Sequence, residues 1–386
     1  MYFLDHASTT PLSPRVRDAM EPWMARPLNP SSVHRHGQQA RSALERARER
    51  VAEIFAVAPR HVVFTASATE ANNLVLRSLA EQARQQGTRL RLATSRLEHA
   101  CIRETSLRLE NHKLANVEWL AVEPTGTVTI PDALACDLLC VMAVQNETGV
   151  VQQLDTARAA ARAAGARWLC DATQAVGLLE LNLVLRGIDF ASLSSHKISG
   201  PPGVGALVGT GVESLAPQIT GGPQENEHRA GTQPVALIVG FGEALALAAQ
   251  EREHRRAHLA ALESEFLAVL RHHAVPFLHN GGDAPDRLPG FLNLSVPGFA
   301  GADLVIALDA RGFSVSSGAA CATGVIETSP AMAAMFPHDE ARAAGALRIT
   351  PGHDTPAAAM RECATALAAI VAAGSTTGRF ARRPTS

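Results

Sequence analysis

A chain of 386 residues with 35 basic and 37 acidic side chains, a formal net charge of −2, is long enough for two domains and a large core. The charges are interspersed, so nucleic acid and an anionic membrane surface are not the expected partners, and small-molecule chemistry is left. The six cysteines form no C-x-x-C pair, no cleavable signal is evident before Asp5, and no apolar run reaches the roughly 20 residues of a membrane span, so a cytoplasmic protein with free thiols and no metal site is expected.

In chain order, the opening Leu4-Asp5-His6-Ala7-Ser8-Thr9-Thr10-Pro11 reads as an ordered turn after a short apolar start. Residues 37–55 place Ala40, Leu44, Ala47, Val51 and Ile54 at helical spacing. Val62 to Thr65 reads as a strand that runs into Ala68-Thr69-Glu70, where a helix opens. Amides at such a start, with the Thr69 hydroxyl, can hold a phosphate, although helix capping is the ordinary use of small hydroxylated residues there. Strands are expected at 90–94, 138–144, 168–171 and 190–194, with an alanine-rich helix from Asp155, itself a good cap, to Ala164.

Strand–helix alternation with wholly apolar strands predicts an α/β fold whose mainly parallel sheet is covered on both faces. Ligands of such sheets gather at strand C-terminal ends, and Asn146, Asp171, Ser194, His196 and Lys197 all lie at or just past one. Cys136 and Cys140, four apart, would share a helix face, and with Cys101, Cys170 and Cys363 they read as core. A single long helix is expected from Val235 to about His273, charged from Glu251 to His258 where the chain leaves the large domain. Residues 291–296 alternate as a strand of a smaller α+β domain. The expected division is a large domain at 15–255 and a small one built from 1–14 and 256–386.

Lys197 stands in a Gly- and Pro-rich loop at a strand end, Ser194 to Gly205, with hydroxyls and an imidazole close by in sequence. Restricted motion and a lowered pKa are what a Schiff-base lysine needs. Asp171, at another strand end and followed by Ala172-Thr173-Gln174, suits the ring nitrogen of pyridoxal 5'-phosphate, which a carboxylate keeps protonated. Cys321 lies among Ser, Gly and Ala with little to bury it, where a thiolate could form and move.

These features, in order along nearly the whole chain, resemble the cysteine desulfurases, relatives of the class V aminotransferases with the aspartate-aminotransferase type of fold. The resemblance rests on the opening Leu4 to Pro11, Ala68-Thr69-Glu70, Glu98-His99, Asn146-Glu147-Thr148-Gly149, Asp171 to Gln174, Ser194 to Lys197, His228 to Thr232, Ser316 to Cys321 and Leu347-Arg348-Ile349. It implies a large domain with a sheet of seven-stranded type, the cofactor pyridoxal 5'-phosphate, and a homodimer in which Thr232 reaches the partner's phosphate. Ala68, Thr69, Asn146, Asp171, Gln174, Ser194 and His196 would hold the cofactor, Lys197 would bond it, and His99 would stack on its ring and help move protons. Arg348, with Asn146, would bind the carboxylate of L-cysteine, and Cys321 would take its sulfur as a persulfide for a protein or small-molecule acceptor, leaving L-alanine. Ala319, Gly345-Ala346, Thr350 to His353, Gln145 and Gln224 depart from the family pattern without removing a reacting group. Selenocysteine lyase, another carbon–sulfur lyase or an aminotransferase, none of which would need Cys321, stay open, as does a non-catalytic sulfur carrier.

Overall fold

The computed structural model describes residues 1–180, 182, 186–317 and 328–377. Cys321 and Ala319 lie outside them.

The strands are β1 (Tyr2–Phe3), β2 (Val62–Thr65), β3 (Leu90–Ser95), β4 (Ala115–Leu120), β5 (Leu138–Cys140), β6 (Arg167–Asp171), β7 (Phe190–Ser194), β8 (Gly205–Val208), β9 (Leu278–His279), β10 (Leu292–Ser295), β11 (Phe313–Ser314) and β12 (Ala346–Ile349). Among the described residues, seven form one sheet in the order β2-β8-β7-β6-β5-β3-β4. Its neighbours from β7 to β4 run parallel, whereas β8 is antiparallel to both β2 and β7. Every residue of β2, β5, β7 and β8 is buried. Helices cover both faces, which is why these strands read as unbroken apolar runs.

One face carries the largest core, with Trp168, Phe64 and Phe241, and the other carries Leu74, Leu76, Leu92 and Phe190. Helix α1 (Pro14–Met24) and helix α2 (Arg35–Ile54) lie on the first, and α2 buries Ala40, Ala43, Leu44, Ala47 and Val51 at the expected period. Helix α3 (Ala68–Gln85) and helix α4 (Ala100–Asn111) cover the second. A separate core joins Leu4, Leu262, Phe266, Leu294, Leu347 and Leu367, around an antiparallel β9-β10-β12 sheet and a parallel β1–β11 pair.

Several elements differ from expectation. The segment 138–144 is a strand only to Cys140, so Cys140 ends the strand and Cys136 lies two residues before it, neither on a helix. The long helix is two, Val235–Gln250 and Arg252–His272, which meet at Glu251. Helix α5 (Leu154–Ala164) starts at Leu154 behind Gln153, with no side-chain cap bond, and Asp155 instead supplies negative charge to its first turn. The helix Ala357–Thr377 is apolar enough over an 18-residue window to span a bilayer, but it buries Met360, Cys363, Ala364 and Leu367 in the second core.

Candidate active site

Sheet geometry delivers Asp171 to the C-terminal end of β6, where its side chain is fixed from two sides. Its Oδ1 accepts from Thr173 N–H and its Oδ2 from Asn72 Nδ2, both at 3.0 Å. Asn72 is fully buried on α3, one turn after the helix starts, so the sheet and the helix together set the carboxylate's position. Glu98, close by and completely buried, is pushed up to about 8 chiefly by burial, although its Oε1 accepts from Met142 N–H at 2.7 Å. It is therefore a neutral acid at pH 7.

Lys197 ends a single turn of 3₁₀ helix, Ser195–Lys197, directly after β7. Its ammonium donates to the carbonyls of Ala7 at 2.5 Å and Ser8 at 2.6 Å. Burial and then the nearby Arg348 lower its pKa to about 8, against the opposing pull of Asp5 and Asp171. The chain segment 5–10 is a strap laid over this turn. Thr10 Oγ1 donates to His196 O at 2.8 Å and accepts from Ser199 N–H at 2.7 Å, which holds Ser199 at φ +64°, a left-handed conformation unusual for serine. His196 Nδ1 lies 3.0 Å from Thr9 Oγ1, and burial followed by Lys197 lowers its pKa to about 4. Gln174 donates from Nε2 to Ala7 O at 2.9 Å.

Arg348, on β12, comes to the same strap from the second core. Its Nη2 donates to Asp5 Oδ1 at 2.7 Å and its Nη1 to the carbonyl of Asn146 at 3.1 Å. Ser316 exchanges both backbone hydrogen bonds with Arg348. Further on, Ser329 Oγ donates to Glu147 Oε1 at 2.6 Å. The segments flanking 318–327 are thus fastened next to Arg348 and to the residue after Asn146.

At the start of α3, Ser67 caps the helix: its Oγ accepts from Glu70 N–H at 3.3 Å, while Glu70 Oε2 reaches past the cap to accept from Ala66 N–H at 2.8 Å. The first amides of a helix have no partner within it, and here they start at Ala68 and the exposed Thr69. A Cβ on Gly205 would lie 2.8 Å from Ser67 C and 3.0 Å from Ala68 N, so glycine is what lets β8 run against this turn. Ser194 pairs with Gly205 across the strands. Thr232 is exposed on a loop, and Arg229 nearby donates from Nε to Glu70 Oε1 at 3.0 Å.

His99 is the N-cap of α4 and accepts from Cys101 N–H through Nδ1 at 3.2 Å, so its neutral ring carries the proton on Nε2. Burial is the main cause of its lowered pKa. Cys101, expected in the core, is only partly buried. Its Sγ lies 3.1 Å from His99 Nδ1 and accepts from Asn72 Nδ2 at 3.3 Å. Burial pushes the thiol up to about 12, so it stays protonated. The other described cysteines, Cys136, Cys140, Cys170 and Cys363, are buried and free.

Asp171 and Lys197 both act electrostatically on His99, Lys197 also senses Arg348, and Asn146, Gln174, Ser194 and His196 border them. Cys321 lies outside the described residues. Asp5, Asn72 and Cys101 were not singled out by sequence. Asp5 stands inside the opening motif, and Asn72 follows Ala68 by one helical turn, but nothing local marks either as a contact of the site.

Pyridoxal phosphate fits this set of groups: an acid held by two donors for its ring nitrogen, a lysine with a lowered pKa, and, for its phosphate, a helix start against which Gly205 lets β8 pack. The aminotransferase class-V family matches residues 2–350. An IscS-like cysteine desulfurase of Mycobacterium tuberculosis is 35% identical over 361 residues, 92% of each chain. Cysteine desulfurase IscS of Klebsiella pneumoniae is 36% identical over 88% of this chain and 85% of its own. Among solved structures, a NifS-like protein superposes with a TM-score of 0.86 at 28% identity, over 96% of this chain and 99% of its own. SspA in complex with cysteine gives 0.79 at 29% identity, over 91% and 99%. By the family match and the identity to these relatives, the chain belongs to the class V aminotransferases and, within them, to the cysteine desulfurases.

Proposed function

We propose that the protein is a pyridoxal-phosphate-dependent cysteine desulfurase that converts L-cysteine to L-alanine and passes the sulfur through a persulfide on Cys321 to an acceptor. The observation that carries this reading is the meeting of Lys197 and Arg348, brought from two cores to one strap at the mouth of the sheet. Family membership and the cysteine bound by the SspA relative support the choice of substrate.

When bound, pyridoxal phosphate supplies an electron-accepting ring joined to the amino acid's nitrogen. Asp171 holds a proton at the ring nitrogen, with Asn72 and Thr173 N–H keeping its carboxylate in place. The amides at Ala68 and Thr69, with Ser194 and His196, would take the phosphate. Arg348, with Asn146, anchors the substrate carboxylate. The lowered pKa leaves part of the Lys197 amine as free base near neutral pH, fit to take the α-proton and return it. The Nε2–H tautomer gives His99 a hydrogen bond to donate. Cys321, as thiolate, attacks the substrate sulfur; the carbon–sulfur electron pair goes to carbon, which gains a proton and leaves as alanine.

The exposed Thr232 suits a phosphate contact made across a homodimer interface. Free cysteines suit the reducing cytoplasm. Large-domain boundaries at 15–255, with 1–14 and 256–386 forming the small domain, complete the reading.

The test compares wild type with Cys321→Ser and Lys197→Ala, measuring alanine and persulfide from L-cysteine together with the cofactor's absorption. Cys321→Ser should keep a cysteine-induced spectral change while alanine release falls by at least about a hundredfold, and Lys197→Ala should stop before any proton leaves the α-carbon. Turnover of Cys321→Ser near the wild-type rate would replace desulfurase with a lyase that needs no such thiol.

A further inference from the structure

Arg348 already holds a carboxylate. The Asp5 side chain accepts from Nη2 at 2.7 Å, with 6% of the Arg348 side chain exposed and 18% of that of Asp5. The backbone of Asp5 is fixed: it bridges Thr350, and its carbonyl accepts from both N–H and Oγ of Ser8. A carboxylate on a buried guanidinium is the interaction that an amino acid's own carboxylate would make at this residue. Two carboxylates on one guanidinium repel each other at short range, and Asp5 takes the Nη2 donor that an α-carboxylate would use.

We propose that Asp5 is an internal competitor for the α-carboxylate of the amino acid: it occupies Arg348 in the resting enzyme, and binding proceeds by its displacement. This rests on the reading of Arg348 as the carboxylate anchor. Asp5 then sets affinity rather than chemistry, and it does so for both ends of the reaction, because alanine carries the same carboxylate as cysteine. A site that holds its product less tightly releases it faster. Lys197 and the His6 ring also sense Asp5, so removing the charge alters their surroundings too, and binding is a cleaner readout than turnover.

The experiment titrates holoenzyme with L-alanine, following cofactor absorption, and separates KM from kcat for L-cysteine. Asp5→Asn and Asp5→Ala should each lower the Kd for alanine and the KM for cysteine by about three- to tenfold, without raising kcat. Asp5→Glu, which keeps the charge, should stay within about twofold of wild type, and thermal unfolding checks that all three variants fold. An unchanged or raised alanine Kd in folded Asp5→Asn or Asp5→Ala overturns the proposal, because Asp5 would then orient Arg348 rather than compete for it. Arg348→Ala decides the underlying reading separately: alanine binding as tight as wild type would remove Arg348 as the anchor whatever Asp5 does.

Discussion

Lys197 carries its charge at a cost that can be measured without the cofactor. Its folded pKa of about 8 lies below the ordinary 10.5, so the folded state binds that proton less readily than the unfolded chain. The resulting destabilisation is full below pH 8, fades as pH rises, and is gone once the unfolded lysine also loses its proton above about 10.5. Lys197→Met should therefore stabilise the cofactor-free protein at pH 7 by about 1–3 kcal/mol, with the gain shrinking towards pH 10. Urea unfolding of both proteins at the two pH values checks this, and an equal gain at both would mean that the charge is not the cause. Lys197 and Asp171 stood out in sequence by their places at strand ends, and Arg348 only through the family resemblance; the fold brings the three into one region. Asp5 as the partner of Arg348 was not legible, since 343 positions separate the two and only the closed fold brings them together. Cys101 was misjudged for a related reason: free cysteine as a residue type reads as core, and its place beside His99 follows from the His99 cap.

Strand β8 shows how an element, rather than a residue, shapes the phosphate end. A methyl group on Gly205 would meet only backbone: Leu193 O at 2.5 Å, Ser67 C at 2.8 Å and Ala68 N at 3.0 Å. No side-chain rotation relieves such contacts, so either β8 must part from β7 or the first turn of α3 must move. Gly205→Ala should cost about 2–4 kcal/mol in the cofactor-free protein and also weaken pyridoxal phosphate binding, which thermal unfolding and a fluorescence titration would report separately. Normal stability and normal cofactor affinity together would show that the turn does not depend on this approach. Of the large sheet, the sequence reading found β2, β3, β5, β6 and β7 and passed over β4 and β8. In β4 the burial alternates along the strand, and β8 is a four-residue run after a glycine loop. The break at Glu251 was equally hidden, because the residues on either side of it are all good helix formers.

Thr232 sets a test for the whole molecule. It is exposed in the single chain, although the phosphate turn it was expected to serve lies at the start of α3. If a second subunit takes it up, Thr232→Ala should loosen pyridoxal phosphate by about tenfold while leaving the dimer intact in light scattering. A monomer that retains the cofactor fully would refute the shared site. The parallel sheet and its helices were readable from alternating patterns, but the union of two cores at one strap was not, because periodicity reports which face is buried and never against what.

The strap has a further consequence, in the timing of synthesis. Residues 5–10 leave the ribosome long before the residues that hold them, His196, Ser199, Arg348 and Thr350, with His6 bonding a residue 344 positions later. The sheet that carries Asp171 and Lys197 can form while translation continues, but its opening segment must wait at the surface until β12 emerges. On the proposed reading of the site, a nascent chain cut short of Arg348 thus has the cradle for a phosphate and no means of gripping an amino acid, so the capacity to release reactive sulfur arrives only once β12 has been made.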